Sequence, residues 1–251
     1  MSLPGEIYLR KFFNKYFWKQ HPETALRYMP VVSEIKRAKL QDSKILEIGS
    51  GSLGIIPFLK KPIVGVDVDF SGPKTNLLEK VKAHADDLPF KKNAFDTSVS
   101  VDVLEHISQE RREKAIFEML RVTYKMAIIV VPEGEDSEKQ DRQLQQLYSK
   151  VFSKTNQFLD EHVNFGLPRK EQVLVAIDKS ARKLGKKAKI QSHQILNLGV
   201  RNILMRTWIT RSKLLYYLYL KGFLLLVPIL RYCNFGKCYR RVFVIEFERQ
   251  S

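Results

Sequence analysis

The stretch Ser43-Lys44-Ile45-Leu46-Glu47-Ile48-Gly49-Ser50-Gly51-Ser52-Leu53-Gly54, followed by Ile63-Val64-Gly65-Val66-Asp67, decides how this chain is read. Lys44 to Ile48 is a short apolar run, and glycines break it before Ile55 to Leu59, so the pattern predicts strand, tight turn, helix. Gly49 and Gly51 carry no side chain and would let a ligand lie against the backbone at the carboxyl end of a parallel strand, where open α/β sheets place their crevice. Asp67 closes the next apolar run at the spacing, about 20 residues, from which a carboxylate reaches a ribose diol.

Two ligand classes fit this outline, a dinucleotide or S-adenosylmethionine. A dinucleotide brings a negative pyrophosphate to the turn, and Glu47, two residues before Gly49, would repel it. S-adenosylmethionine brings an ammonium and a sulfonium, which the same carboxylate attracts. The acid therefore points to the methyl donor.

Four stretches in order carry a family resemblance: Leu46 to Gly51, Val64 to Asp67, Ala85-Asp86-Asp87-Leu88-Pro89-Phe90 with Phe95-Asp96, and Asp102-Val103-Leu104-Glu105-His106-Ile107. With them the chain resembles the class I S-adenosylmethionine-dependent methyltransferases, in the subgroup similar to the ubiquinone-biosynthesis C-methyltransferases. The resemblance covers Ser43 to about Pro132 well, the His162 to Ile177 region loosely and the rest hardly at all. It implies Glu47 toward the methionine ammonium, Gly49, Ser50 and Gly51 against the donor, Asp67 on the ribose, and His84, Ala85 and Asp86 around the adenine. Two departures stand out: the third glycine falls at Gly54 rather than at Leu53, and His84 stands where the family usually has an acid.

With 251 residues, 44% of them apolar, the chain suits one large α/β domain better than two. Its opening residues lack a charged region followed by an apolar one, and it has two cysteines, so a reducing cytoplasm is the expected setting. Cys233 and Cys238, with no second ligand pair or nearby His in sequence, read as free thiols rather than a zinc site. The formal charge of +16 is unevenly spread: residues 1–40 carry +5, residues 41–178 carry −3 and residues 179–251 carry +14. The basic last third suggests a polyanionic partner, a phospholipid surface or a nucleic acid, with a solvated basic face as the alternative.

Strand and helix patterns alternate from Lys44 onward, which predicts a doubly wound, mostly parallel seven-stranded α/β sheet with helical insertions. Its parts are N-terminal cap helices over 1–42, a cofactor core over 43–132, a lid insertion over 133–165 and a C-terminal half over 166–251. A short helix is expected around Thr75 to Lys80, a third strand near Val81 to Ala83, and a central strand at Met126 to Val131. The family resemblance implies that the last strand, Tyr239 to Glu248, inserts antiparallel between the fifth and sixth. Within 200–232, the aliphatic run Leu214 to Leu230 is interrupted by Lys221, Gly222 and Pro228 and flanked by basic residues. It reads as an interfacial membrane segment, a buried hairpin or a homodimer contact rather than a spanning helix.

Methyl transfer from a sulfonium needs no acid for its neutral leaving group, so the protein has chiefly to hold the nucleophile in line in a dry pocket. A hydroxyl or acidic carbon acceptor also needs a base. Asp102 and His162 are the catalytic candidates, with His106 beside the first; the same positions suit a helix-capping acid and packing histidines. A small-molecule or lipid-like acceptor leads. An RNA methyltransferase is the second reading, weakened because Ser100-Val101-Asp102-Val103 replaces the Asn-Pro-Pro-Tyr type of base-flipping motif. A non-catalytic scaffold is the third, and the largely intact donor motif counts against it.

Overall fold

The computed structural model describes residues 21–248; the first 20 residues of the cap read over 1–42 lie outside the described residues. Helix α1 (Pro22–Arg37) opens on a proline, with Glu23 in its first turn and Lys36 and Arg37 in its last, so fixed φ and the helix dipole both favour it. Its residues Ala25, Leu26, Tyr28, Val31, Val32 and Ile35 recur at helical spacing and are buried.

The sheet runs β1 (Ile45–Ile48), β2 (Ile63–Asp67), β3 (Leu78–Lys82), β4 (Phe95–Val101), β5 (Thr123–Pro132), β6 (Ala188–Asn197) and β7 (Cys238–Phe247), in the spatial order β3-β2-β1-β4-β5-β7-β6. Strands β1 to β5 pair in parallel, while β7 lies antiparallel between β5 and β6, the insertion that the resemblance implied. Between strands lie α2 (Ile56–Leu59), α3 (Gln109–Val122), α4 (Glu135–Phe152), α5 (Gln157–Phe165) and α6 (Lys170–Lys183).

Period-two alternation divides the strands between two cores. Ala127, Ile129 and Val131 of β5 join Leu46, Ile48, Phe243 and Ile245 under α3 and α6, whereas Met126, Ile128 and Val130 join Ile45, Val99 and Val244 under α1 and α2. Glu47 therefore falls on the second face, among apolar neighbours.

Two local expectations are corrected, the helix around Thr75 to Lys80 and the third strand near Val81 to Ala83. No helix forms at Thr75 to Lys80: the Leu77 N–H bonds to Thr75 Oγ1, a turn that competes with helix, and β3 starts at Leu78, which packs where any side chain at Gly65 would collide with it. The helix expected over Ile55 to Leu59 forms as α2, ended by Lys60 in the left-handed region at φ 57°.

Beyond β6, α7 (Leu198–Trp208) leads to a helical run made of α8 (Lys213–Tyr217), a π-type turn (Leu218–Gly222) and α9 (Phe223–Leu230). By length and composition alone this 18-residue run could cross a membrane. Its Tyr219, Leu224 and Val227 pack on Ala25 and Leu26 of α1 and Leu204 of α7.

Candidate active site

The turn after β1 is held by its own backbone. The N–H groups of Gly49 and Ser50 both donate to Val66 O, at 2.8 and 3.2 Å, tying the turn to the end of β2. Gly49 has φ +76°, and a Cβ there would lie 2.2 Å from Val103 Cγ2. Gly51, at φ +53°, donates to Asp67 Oδ2 at 2.7 Å, and a Cβ on it would meet nothing within 4 Å. Asp67 also accepts from the Asp69 N–H at 3.1 Å. Its carboxylate thus positions the turn, a role its place in sequence does not disclose.

Glu47 is fully buried, and its Oε2 accepts from the Ile55 N–H at 2.7 Å. A Cβ at Gly54 would stand 2.0 Å from that oxygen, which explains why the third glycine sits at Gly54 in this chain. Burial pushes the Glu47 carboxyl up to about 7, against the Ile55 bond and the neighbouring Tyr28 and Arg27. Its Oε1 has no hydrogen-bond partner among the described residues. An unpartnered buried carboxylate oxygen beside glycine backbone fits a donor that brings an ammonium and a sulfonium, and it does not fit a pyrophosphate. Glu47, Gly49, Ser50, Gly51 and Asp67 are the residues that would hold S-adenosylmethionine, which supplies the electrophilic methyl.

On the adenine side, His84 is exposed and bridges to Asp87, and Ala85 packs against the core. The Asp86 carboxylate is occupied: Arg111 of α3 binds both its oxygens, at 2.8 and 2.6 Å, and so lowers its pKa. That leaves the His84 side chain and the backbone of this turn to face an adenine.

Asp102 sits just past β4 at φ +53°, where its carboxylate accepts from Arg27 at 2.9 Å and from Arg240 Nε at 2.8 Å; Arg240 also pairs with Glu23. Burial would raise the Asp102 pKa, yet Arg240 and then Arg27 hold it well below the ordinary carboxylate range. So weak a base, with both oxygens engaged, serves the architecture by joining α1, the β4 loop and β7. Of the two sequence candidates it is the poorer proton acceptor.

The histidines converge instead. His106, in a short 3-10 turn (Leu104–His106), and His162, on α5, place their Nε2 atoms 3.4 Å apart. His106 Nδ1 bonds to Glu161 at 2.6 Å and His162 Nδ1 to Asp141 at 2.9 Å. Asp141 is buried and also takes Arg201 at 2.6 Å and the Tyr239 hydroxyl at 2.8 Å, while Arg201 stacks 3.3 Å from the Tyr239 ring centroid. Burial opposes Asp141 ionisation, but Arg201 and then His162 keep its pKa low, so it remains a carboxylate able to orient His162. Burial, then His162, lowers the His106 pKa. Beside them Glu105 is fully buried with neither carboxylate oxygen hydrogen-bonded to another described side chain or backbone group, and burial, then the Asp102 charge, pushes its carboxyl well above the usual range. Val103, two residues before Glu105, is the residue that touches Gly49, so the cluster adjoins the glycine turn. Sequence reasoning missed Arg27, Asp141, Arg201 and Arg240; the one available signal was an arginine pair, Arg240-Arg241, inside an otherwise apolar last strand.

Comparison with known proteins fits this geometry. Residues 46–131 match the methyltransferase domain family. No curated protein matches the chain. Among solved structures, a Thermotoga maritima protein described as an S-adenosylmethionine-dependent methyltransferase, possible histamine N-methyltransferase, is 14% identical, with 96% of each chain covered and a TM-score of 0.51. The methyltransferase domain of bacterial CtHen1-C is 15% identical, covering 90% of this chain and 100% of that one at a TM-score of 0.52. At such identities the two structures bear on the fold alone, and the narrower likeness to ubiquinone-biosynthesis C-methyltransferases is not confirmed. Matched by the methyltransferase domain family across the donor motifs, and with a glycine turn fitted to a cationic donor, residues 46–131 form the S-adenosylmethionine-dependent methyltransferase domain of this chain.

Proposed function

We propose that this methyltransferase acts on a small, lipid-like acceptor at an anionic membrane surface. The observation that carries the reading is the outer face of the helical run Lys213–Leu230. While Leu224 and Val227 are buried, Leu214 is 77% exposed and Ile229 68%, and Leu225, Leu226 and Leu218 are exposed as well. A soluble surface rarely carries so continuous an apolar strip, and Arg211, Lys213, Arg231 and Lys237 surround this one. Charge would bring the face to anionic lipid and the aliphatic side chains would enter the headgroup boundary. Because the opposite side packs on α1 and α7, the helix would lie on the membrane rather than cross it.

A groove of about 370 Å³ opens next to this face, between Tyr148 and Phe152 of α4, Trp208 of α7 and Tyr216 of α8, with Arg211 and Lys213 at its rim. That volume falls within the range of small-ligand sites, roughly 300–1,000 Å³, and aromatic walls with a basic rim suit an amphipathic molecule with an anionic head. RNA would use the charge but not the aliphatic strip, since phosphate contacts come from Lys and Arg and base contacts from polar or aromatic groups.

Co-sedimentation with vesicles of rising phosphatidylserine content, beside single-stranded and duplex RNA at matched salt, tests the proposal. Binding should rise with anionic lipid and fall in the Leu225→Glu, Ile229→Glu double variant, whose sites are exposed and whose fold should persist. RNA binding without vesicle binding, or a concentration-dependent dimer that the double variant abolishes, would replace the lipid reading.

A further inference from the structure

We propose that Glu105, His106 and His162 form a binding site for a divalent transition-metal ion at the edge of the donor turn. Their ligand atoms all lie within 4.8 Å of one another. Two neutral imidazoles that each donate Nδ1–H to a carboxylate are left with Nε2 lone pairs, and here those atoms face each other at 3.4 Å. Facing lone pairs repel unless a proton or a cation sits between them. The spacing favours the cation: two Zn–N bonds of about 2.05 Å at the tetrahedral angle put their nitrogens about 3.3 Å apart. The third ligand is equally underused, because both Glu105 oxygens are buried without a hydrogen bond among the described residues. A lone carboxylate in that position is costly, and coordination is one of the few ways to satisfy it.

The surroundings match what metal-bound histidines require. Glu161 and Asp141 hold the two Nδ1 atoms, fixing the tautomer that exposes Nε2, and Asp141 is itself anchored by Arg201 and Tyr239. Two imidazoles and one carboxylate suit zinc, manganese, iron or cobalt better than magnesium or calcium, which prefer all-oxygen shells. Three protein ligands leave a fourth position for water or an oxygen of the methyl acceptor. No residue of the pair Cys233 and Cys238 belongs to the cluster.

The proposal does not rest on the identity of the acceptor, and metal binding is measured without donor or acceptor. Chelator-treated protein is titrated with Zn²⁺ by calorimetry and with Co²⁺ by visible absorption. The expected result is one metal per chain, with Co²⁺ bands lacking thiolate charge transfer, and affinity lowered at least about tenfold in His106→Ala and in His162→Ala, by analogy with the loss seen when metal-site residues are perturbed. Glu105→Gln should weaken binding similarly, and Glu161→Gln, a partly exposed orienting position, provides a gentler variant should Glu105→Gln fail to fold. Cys233→Ser with Cys238→Ser should bind as the parent does. Absence of binding, binding indifferent to both histidine variants, or binding lost with the cysteines would overturn the site while leaving the methyltransferase assignment intact.

Discussion

The donor turn and the histidine-arginine clusters meet at the same end of the sheet, but they are assembled in opposite ways. The turn draws on Glu47 to Asp67 and holds itself by backbone N–H groups that donate to Val66 O and to the Asp67 carboxylate. The ionic cluster joins Glu23, Arg27, Asp102 and Arg240, with Asp102 and Arg240 separated by 138 positions. The histidine cluster spans Glu105 to His162 and leans on Arg201 and Tyr239. A site built from neighbouring residues depends on glycine conformation and strand register, whereas one built from distant residues depends on the whole fold placing buried charges opposite each other. The first kind should lose ligand affinity when altered, and the second should lose stability.

The largest effect expected from that contrast lies at Asp102. Asp102→Ala would leave Arg27 and Arg240 without their shared carboxylate, and removal of one partner from a buried ion network costs about 3–5 kcal/mol. Chemical denaturation should show that loss. If stability held while turnover collapsed, Asp102 would belong with the reacting groups and the division between the two kinds of site would fail.

Asp67 should behave in the other manner. Asp67→Ala removes charge-assisted hydrogen bonds available to the ribose, about 1.5–3 kcal/mol of donor affinity by calorimetry. The Gly51 and Asp69 N–H groups lose an acceptor at the same time, although both lie near water. Stability should therefore fall less than in Asp102→Ala, and the reverse order would show that the turn is as dependent on buried charge as the ionic cluster.

The smallest effect is a pH dependence at Glu47. Its folded pKa, pushed up from 4.5 to about 7, means that the folded protein holds a proton the unfolded chain releases, so the associated stability is full below about 4.5 and is lost as pH rises through about 7. Glu47→Gln should flatten that loss in thermal melts without donor. Donor binding carries the opposite sign, because the ammonium requires the carboxylate: affinity should climb about tenfold from pH 6 to 8 and level off above it. A flat profile would mean that the donor ammonium is bound elsewhere.

Much of the donor site was legible because its signals are local. Glycines at positive φ, an acid two residues before them and an acid ending the next strand are each visible in a window of a few residues, and β2 formed over the residues expected of it. The missing helix at Thr75 to Lys80 was not legible, since a threonine side-chain bond and the space above Gly65 tipped a weak pattern toward strand. In the aliphatic run Leu214 to Leu230, composition cannot separate neighbours such as Leu224 and Leu225, and only packing on α1 and α7 shows that the first is buried and the second exposed.

By itself, then, the order of residues determined the parallel core, the methyl-donor turn and the uneven spread of charge, because backbone freedom, alternation and side-chain charge act over short distances. The tertiary structure alone decided that Asp102 is locked between two arginines, that His106 and His162 face each other with Glu105 beside them, and which face of the aliphatic run meets solvent. Those depend on which distant groups share a low-dielectric interior, where an unpaired charge is costly and a partner must come from whichever element the fold brings there.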